Sequence, residues 1–135
     1  MVKITGIYEG EKHCELVHGP SSSKIGTDAP KDNNGKGELF SPTDLVAAAL
    51  GSCMLTVMAI ASEKEGVPLK GSHVTVEKEM TTGPRRIAKL TVQLHLPKAI
   101  DASYRSTLEN IANTCPVKMS LSKKMEIPVQ FHYTV

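Results

Sequence analysis

The sequence predicts an α+β fold in which an antiparallel sheet wraps around one long, buried helix. Three observations predict it. Residues 45–61 carry no charge on any side, the pattern of a helix enclosed by the rest of its domain. Segments at the start, middle and end of the chain are β-prone, and those in the middle and at the end alternate apolar and polar residues with the period of a strand. Between the last two lies a stretch whose apolar positions, Tyr104, Leu108, Ile111 and Ala112, recur at helical spacing.

Taken in order, Val2–Tyr8 and Lys12–His18 read as strands joined by a turn at Glu9-Gly10-Glu11. Residues 19–37 are mostly Pro, Ser, Asp, Asn, Lys and Gly. A loop that long in a small domain is functional, disordered, or hides a short strand, and Ser23–Thr27 is the candidate strand. Ser41-Pro42-Thr43-Asp44 then supplies an N-cap hydroxyl, a proline at the first helical position and an acid three residues after the cap. The helix it starts should run to Glu65, where Gly66 can cap it and Pro68 forbids continuation. An apolar helix of this length is either a membrane span or the spine of a domain. Gly51, Ser52 and Thr56 within it, and the lack of a second apolar segment, favour the spine, so no membrane partner is expected.

His73–Met80, a Thr82-Gly83-Pro84 turn, and Leu90, Val92, Leu94 and Leu96 alternating with polar residues predict an antiparallel hairpin with one buried face. Asp101 caps a second helix on which Arg105 and Glu109 are spaced to pair. That helix stops near Thr114, and Cys115-Pro116 opens a third, short helix to about Lys124. Val129, Phe131, Tyr133 and Val135 close the chain as a strand. At 135 residues this is one domain, 1–135. A single sheet of this size covers only part of an all-apolar helix, so a homodimer interface is expected to cover the rest.

Composition narrows the function. A net charge of +2, no polybasic run, no Trp, two Phe and three Tyr argue against nucleic acid as a partner. The N-terminal residues show no apolar signal segment, which makes a reducing cytoplasm the expected location. Three widely spaced cysteines, Cys14, Cys53 and Cys115, argue against a disulfide framework and for free or redox-active thiols. Zinc spacing is absent, and strand alternation would send His13 and Cys14 to opposite faces.

The cysteines differ physically. Cys115, just before Pro116, is placed to cap the third helix, where free N–H groups and the helix dipole stabilise a thiolate. Cys53 lies halfway along the apolar helix, where burial raises a thiol pKa and a small hydrophobe is the ordinary reading. By these rules alone Cys115 is the more reactive. Cys14 shares a strand face with Leu16 and reads as packed.

The stretch Ser-Pro-Thr-Asp-Leu-Val-Ala-Ala-Ala-Leu-Gly-Ser-Cys, ending at Cys53, resembles the central-helix signature of OsmC/Ohr proteins. Ala-Asn-Thr-Cys-Pro-Val, centred on Cys115, resembles the family's second-cysteine motif. Their order and separation, the hairpin, the intervening helix and the final strand agree as well. The resemblance covers nearly the whole chain and is weakest before Gly35. It implies an intertwined homodimer with active sites at the subunit interface, and thiol-dependent reduction of organic hydroperoxides without a cofactor. Cys53 is then the peroxidatic thiol, Cys115 the resolving thiol, and a thiol reductant, such as a lipoylated protein, resets the pair.

One departure stands out. The peroxidase branch sets an N-terminal Arg, paired with a helix-entry carboxylate, against the reactive thiolate, and residues 1–40 here contain no Arg. Asp44 matches the carboxylate position or the residue after it, with Glu38 as a second candidate. Lys24 could replace the guanidinium only as a point charge, while Arg85 and Arg86 lie on the hairpin turn. This places the chain in the OsmC-like branch and keeps open a non-catalytic or redox-sensing small-molecule-binding module on the same fold.

Overall fold

The β-prone runs of the first forty positions do form strands. The computed structural model describes every residue, Met1–Val135, in two units, Met1–Val46 and Ala47–Val135. In the first, β1 (Ile4–Gly10), β2 (His13–His18) and β3 (Lys24–Asp28) make an antiparallel sheet in the order β1-β2-β3. The β1–β2 turn carries Gly10, Glu11 and Lys12 at φ of 89°, 53° and 60°. Glu11 and Lys12 hold a left-handed backbone that glycine favours, and an ion pair from Lys36 ties Glu11 down. The short strand expected inside the polar loop is β3. After it the chain makes a 3-10 turn, Lys31–Asn33, and passes so close to itself that a Cβ on Gly35 would lie 1.8 Å from the Ala29 carbonyl oxygen.

Pairing of β2 with β3 sets His13 directly opposite Asp28. His13 Nδ1 lies 2.8 Å from Asp28 Oδ1, and its Nε2 lies 3.3 Å from Glu9 Oε1. Asp28 is buried and also accepts from the backbone of Glu38 and Leu39. The hydrogen bond between the two holds the imidazole pKa above its ordinary value and the carboxyl below its own. The raised imidazole contributes stability that is complete below the unfolded His pKa and is lost as pH rises through the folded value. The lowered carboxyl contributes stability present above the unfolded Asp pKa and lost as pH falls through the folded value. The link is therefore complete between about pH 4 and 6.5. His13→Gln should lower the melting temperature most in that window and least above the raised imidazole pKa. A uniform loss across the pH range would show that the charge is not what His13 contributes.

Helix α1 (Pro42–Lys64) runs from the first unit into the second. Ala47, Leu50, Gly51, Met54, Met58 and Ser62 form its buried stripe, whereas Ala48, Ala49, Ser52, Thr56 and Ile60 are exposed. By length and composition it could cross a membrane, and 33% of its apolar window is buried within the chain. The chain itself thus covers one face of a helix whose sequence is apolar on all. The helix ends a residue before the expected Glu65. Gly66 takes a φ of 77°, Val67 N–H donates to the Ser62 carbonyl, and Ser62 Oγ donates to the Val67 carbonyl at 2.7 Å.

The second sheet has the order β4-β5-β6, from β4 (His73–Thr81), β5 (Arg86–Leu96) and β6 (Val129–Tyr133). Ile87, Leu90, Val92, Leu94 and Leu96 point into the core. On the outer face the rings of His73, His95 and His132 stack across the three strands, with centroids 4.5 and 4.8 Å apart. The fold is α+β as the sequence predicts, with two corrections to the sheet. There are two sheets, and β6 pairs with β5 in parallel. The reason is the connection, because α2 (Ala102–Asn113) and α3 (Pro116–Ser120) carry the chain back before β6 begins.

Local expectations on the helices are corrected too. Arg105 and Glu109 both turn to Tyr133 in place of pairing with each other. The guanidinium lies 4.2 Å over its ring, and the tyrosine hydroxyl donates to Glu109 Oε2 at 3.0 Å. Helix α3 stops at Ser120, short of Lys124, because Leu121 is extended and the next residues turn at Ser122–Met125. Asp101 caps α2 as expected, accepting from Ser103 N–H at 2.8 Å.

Candidate active site

The two thiols of the second unit, Cys53 and Cys115, lie far apart in sequence but close enough in space to interact. Cys53 lies on α1 one residue before buried Met54, and its own side chain is half-buried. Gly51, two residues earlier, lets the helix approach the sheet: a Cβ there would meet Val76 Cγ2 at 3.0 Å and Val74 Cγ1 at 3.1 Å. That close approach sets the depth at which Cys53 is held.

Cys115 reaches it from the α2–α3 junction. Leu108 and Ala112 are fully buried on α2, which fixes the end of that helix. Cys115 then caps α3, its Sγ accepting from Lys118 N–H at 3.4 Å. The Lys118 ammonium donates to Asn113 Oδ1 at 2.7 Å, and Asn113 donates to the Glu109 carbonyl at 3.0 Å, so the junction is braced from both sides. Cys115 is 1% exposed. Burial pushes its thiol pKa up. The Lys118 and Val117 N–H groups oppose that, and the hydrogen bond and charge interaction with Cys53 add to it.

The expected cap at Cys115 is present, but the cap does not leave the thiol net-stabilised as a thiolate. Helix-terminal N–H groups do reach the sulfur, but the desolvation of a fully enclosed thiol outweighs them. The brace from Lys118 and Asn113 was not foreseen. The rule that a cap accepts from the third helical N–H points to Lys118 once Cys115 is placed at the cap.

Asp44 belongs to the first unit, where it completes a reciprocal cap on α1. Its Oδ2 accepts from Ser41 N–H at 2.9 Å, and its own N–H donates to Ser41 Oγ at 3.0 Å. Lys24 pairs with Glu15 at 3.8 Å on an exposed surface. Glu38 contributes a backbone N–H to Asp28. Arg85 and Arg86 are exposed at the β4–β5 turn, with Arg86 donating to the Ile87 carbonyl at 3.3 Å. Cys14 is half-buried on β2 between Tyr8 and Thr27. No three His, Cys, Asp or Glu side chains are arranged to hold a metal ion. An open cavity of about 330 Å³ lies along the second half of α1, lined by Leu55, Thr56, Ala59, Glu63, Leu69 and Ser72 among others.

Fold and site together define a small α+β protein with a paired-thiol site. The OsmC-like protein family matches residues 35–130, and the chain belongs to it. A crystal structure from Psychrobacter arcticus, of a protein described as osmotic stress induced and involved in detoxification response, is 37% identical over 97% of this chain and 94% of its own, with a TM-score of 0.89. An organic hydroperoxide resistance protein OsmC from Legionella pneumophila is similar in fold, with a TM-score of 0.73 at 17% identity over 98% of this chain and 96% of its own. So is an organic hydroperoxide resistance protein from Vibrio cholerae with captopril in one active site, at a TM-score of 0.76 and 17% identity over 99% and 92%. No curated protein matches the sequence.

Proposed function

We propose that this protein is a two-thiol peroxidase that reduces organic hydroperoxides in the cytoplasm. The observation that carries the proposal is the nearness of half-buried Cys53 to enclosed Cys115, close enough for the two thiols to influence each other. Cys53 is the thiol that a bulky peroxide can reach, and Cys115 is placed to answer it. The Cys53 thiolate attacks the outer peroxide oxygen, the O–O bond breaks, and the alkoxide takes a proton and leaves as alcohol. Cys53 is left as a sulfenic acid. Cys115 sulfur then attacks Cys53 sulfur, water departs, and a Cys53–Cys115 disulfide holds the two electrons' worth of oxidation until a dithiol reductant removes it. The apolar flank of α1 suits alkyl and acyl hydroperoxides. Its exposed stripe of Ala48, Ala49, Thr56 and Ile60 is where a second copy of the chain would pack to form the homodimer.

Mass spectrometry of the reduced protein after a stoichiometric pulse of cumene hydroperoxide tests this, with hydrogen peroxide as control. A fast Cys53–Cys115 disulfide with Cys14 unmodified is the expected product. Thiols unchanged by either peroxide would turn the reading to a small-molecule-binding module. The lack of arginine in residues 1–40 and the cavity beside α1 are the observations on that side.

A further inference from the structure

The disulfide that the proposed reaction leaves behind has two sulfurs, and they are not equally open to a reductant. We propose, resting on the two-thiol reading above, that the incoming dithiol attacks only the sulfur of Cys53 and that Cys115 is always the leaving thiolate. Thiol–disulfide exchange is in line: the attacking sulfur arrives opposite the bond that breaks. To reach Cys115 sulfur it would have to come from the side away from Cys53, through the residues that leave Cys115 1% exposed. That enclosure is made by the chain's own α2–α3 junction and core, so a partner subunit could only deepen it. Cys53 is half-buried, and Ser52 beside it on α1, outside the stripe proposed for the second copy, is exposed, which leaves the far side of its sulfur approachable.

The leaving group is provided for as well. As the reductant thiolate forms its bond to Cys53 sulfur, the Cys53–Cys115 bond breaks and its electron pair passes to Cys115. There the N–H groups of Lys118 and Val117 already point at the sulfur. Those donors hold the thiolate until it takes the proton of the reductant's second thiol. That second sulfur then attacks the first, releases Cys53 thiolate, and departs as a cyclic disulfide. Two electrons have moved from dithiol to protein, and the pair is reset. Lys118 and Asn113 act here as positioning residues, because their 2.7 Å bond fixes the N–H groups that receive the charge.

Two measurements test this without hydroperoxide, so a protein inert to peroxide would sink the peroxidase reading and leave this one intact. In a Cys14→Ser background, Cys115→Ser leaves Cys53 as the sole thiol and Cys53→Ser leaves Cys115. Their exchange rates with 4,4′-dithiodipyridine are followed by release of the thiopyridone, with circular dichroism to confirm folding. Cys53 is expected to exchange on the order of 10-fold to 100-fold faster than Cys115. Equal rates, or a faster Cys115, would overturn the proposal. In the second, the Cys14→Ser protein is oxidised with diamide, pulsed with excess glutathione, quenched in acid and mapped. Glutathione on the Cys53 peptide is the expected adduct, and glutathione on Cys115 would refute the assignment even if a single-thiol variant failed to fold.

Discussion

Cys53→Ser is expected to abolish turnover of cumene hydroperoxide, by roughly three orders of magnitude or more, the scale on which removing a nucleophile acts. The serine hydroxyl is nearly isosteric with the thiol, so α1 should keep its seat on β4 and the melting temperature should change little. Cys115→Ser should behave differently. Its first turnover survives, because the attacking thiol is intact, but the sulfenic acid has no neighbour to trap it. It should advance to sulfinic and sulfonic acid under excess peroxide, visible as steps of one oxygen in the intact mass. Cys14→Ser should match the parent protein. A ferrous–xylenol orange assay on the three variants decides the matter, and a Cys14→Ser defect as deep as that of Cys53→Ser would refute the assignment of roles.

Gly51→Val should unfold the protein at lower urea, by about 1–3 kcal/mol, the usual cost of forcing methyl groups into a packed contact. Even the first added carbon would sit 3.0 Å from Val76 Cγ2 and 3.1 Å from Val74 Cγ1. The two further methyls of valine have only the β4 side chains to displace. The helix must rise, and Cys53 rises with it, away from a Cys115 that its own junction holds fixed. Slower disulfide closure should therefore accompany the loss of stability. An unchanged urea midpoint would mean that the helix does not bear on the sheet at this residue.

Much of the fold was readable from local chemistry. Ser41-Pro42-Thr43-Asp44 marked the start of α1, Asp101 the start of α2, and a β-prone run, a turn and an alternating run marked the β4–β5 hairpin. These signals lie within a few residues of what they control. What escaped was set by partners far along the chain. Arg105 and Glu109 have the spacing of a helix pair, but Tyr133 from the last strand intercepts both. The direction of β6 depends on how the α2–α3 connection returns, which no window of residues encodes. At the site, the cap at Cys115 was legible and its burial was not, since burial is set by tertiary packing. The helix-terminus argument for Cys115 left that burial out, and only the family resemblance singles out Cys53 as the attacking thiol. The His13–Asp28 link was hidden in the same way. Its two residues meet only because β2 and β3 pair in one particular register.

The parallel return of β6 also has a kinetic side. Cys53 and Cys115 are separated by the rest of α1, the β4–β5 hairpin and α2, the first half of the crossover that delivers β6 to its place beside β5. Bringing the ends of such a segment together costs about 3–4 kcal/mol of chain entropy before any contact repays it. In an unfolded or nascent chain the two sulfurs therefore rarely meet, and an oxidant finds single thiols. Only when the crossover has docked and the sheet is complete do the sulfurs stay in reach of one another. The same connection that reverses the last strand thus makes the proposed pairing of these two cysteines a property of the finished fold, and a cross-link between them, where it forms, a chemical record that folding was complete when the oxidant arrived.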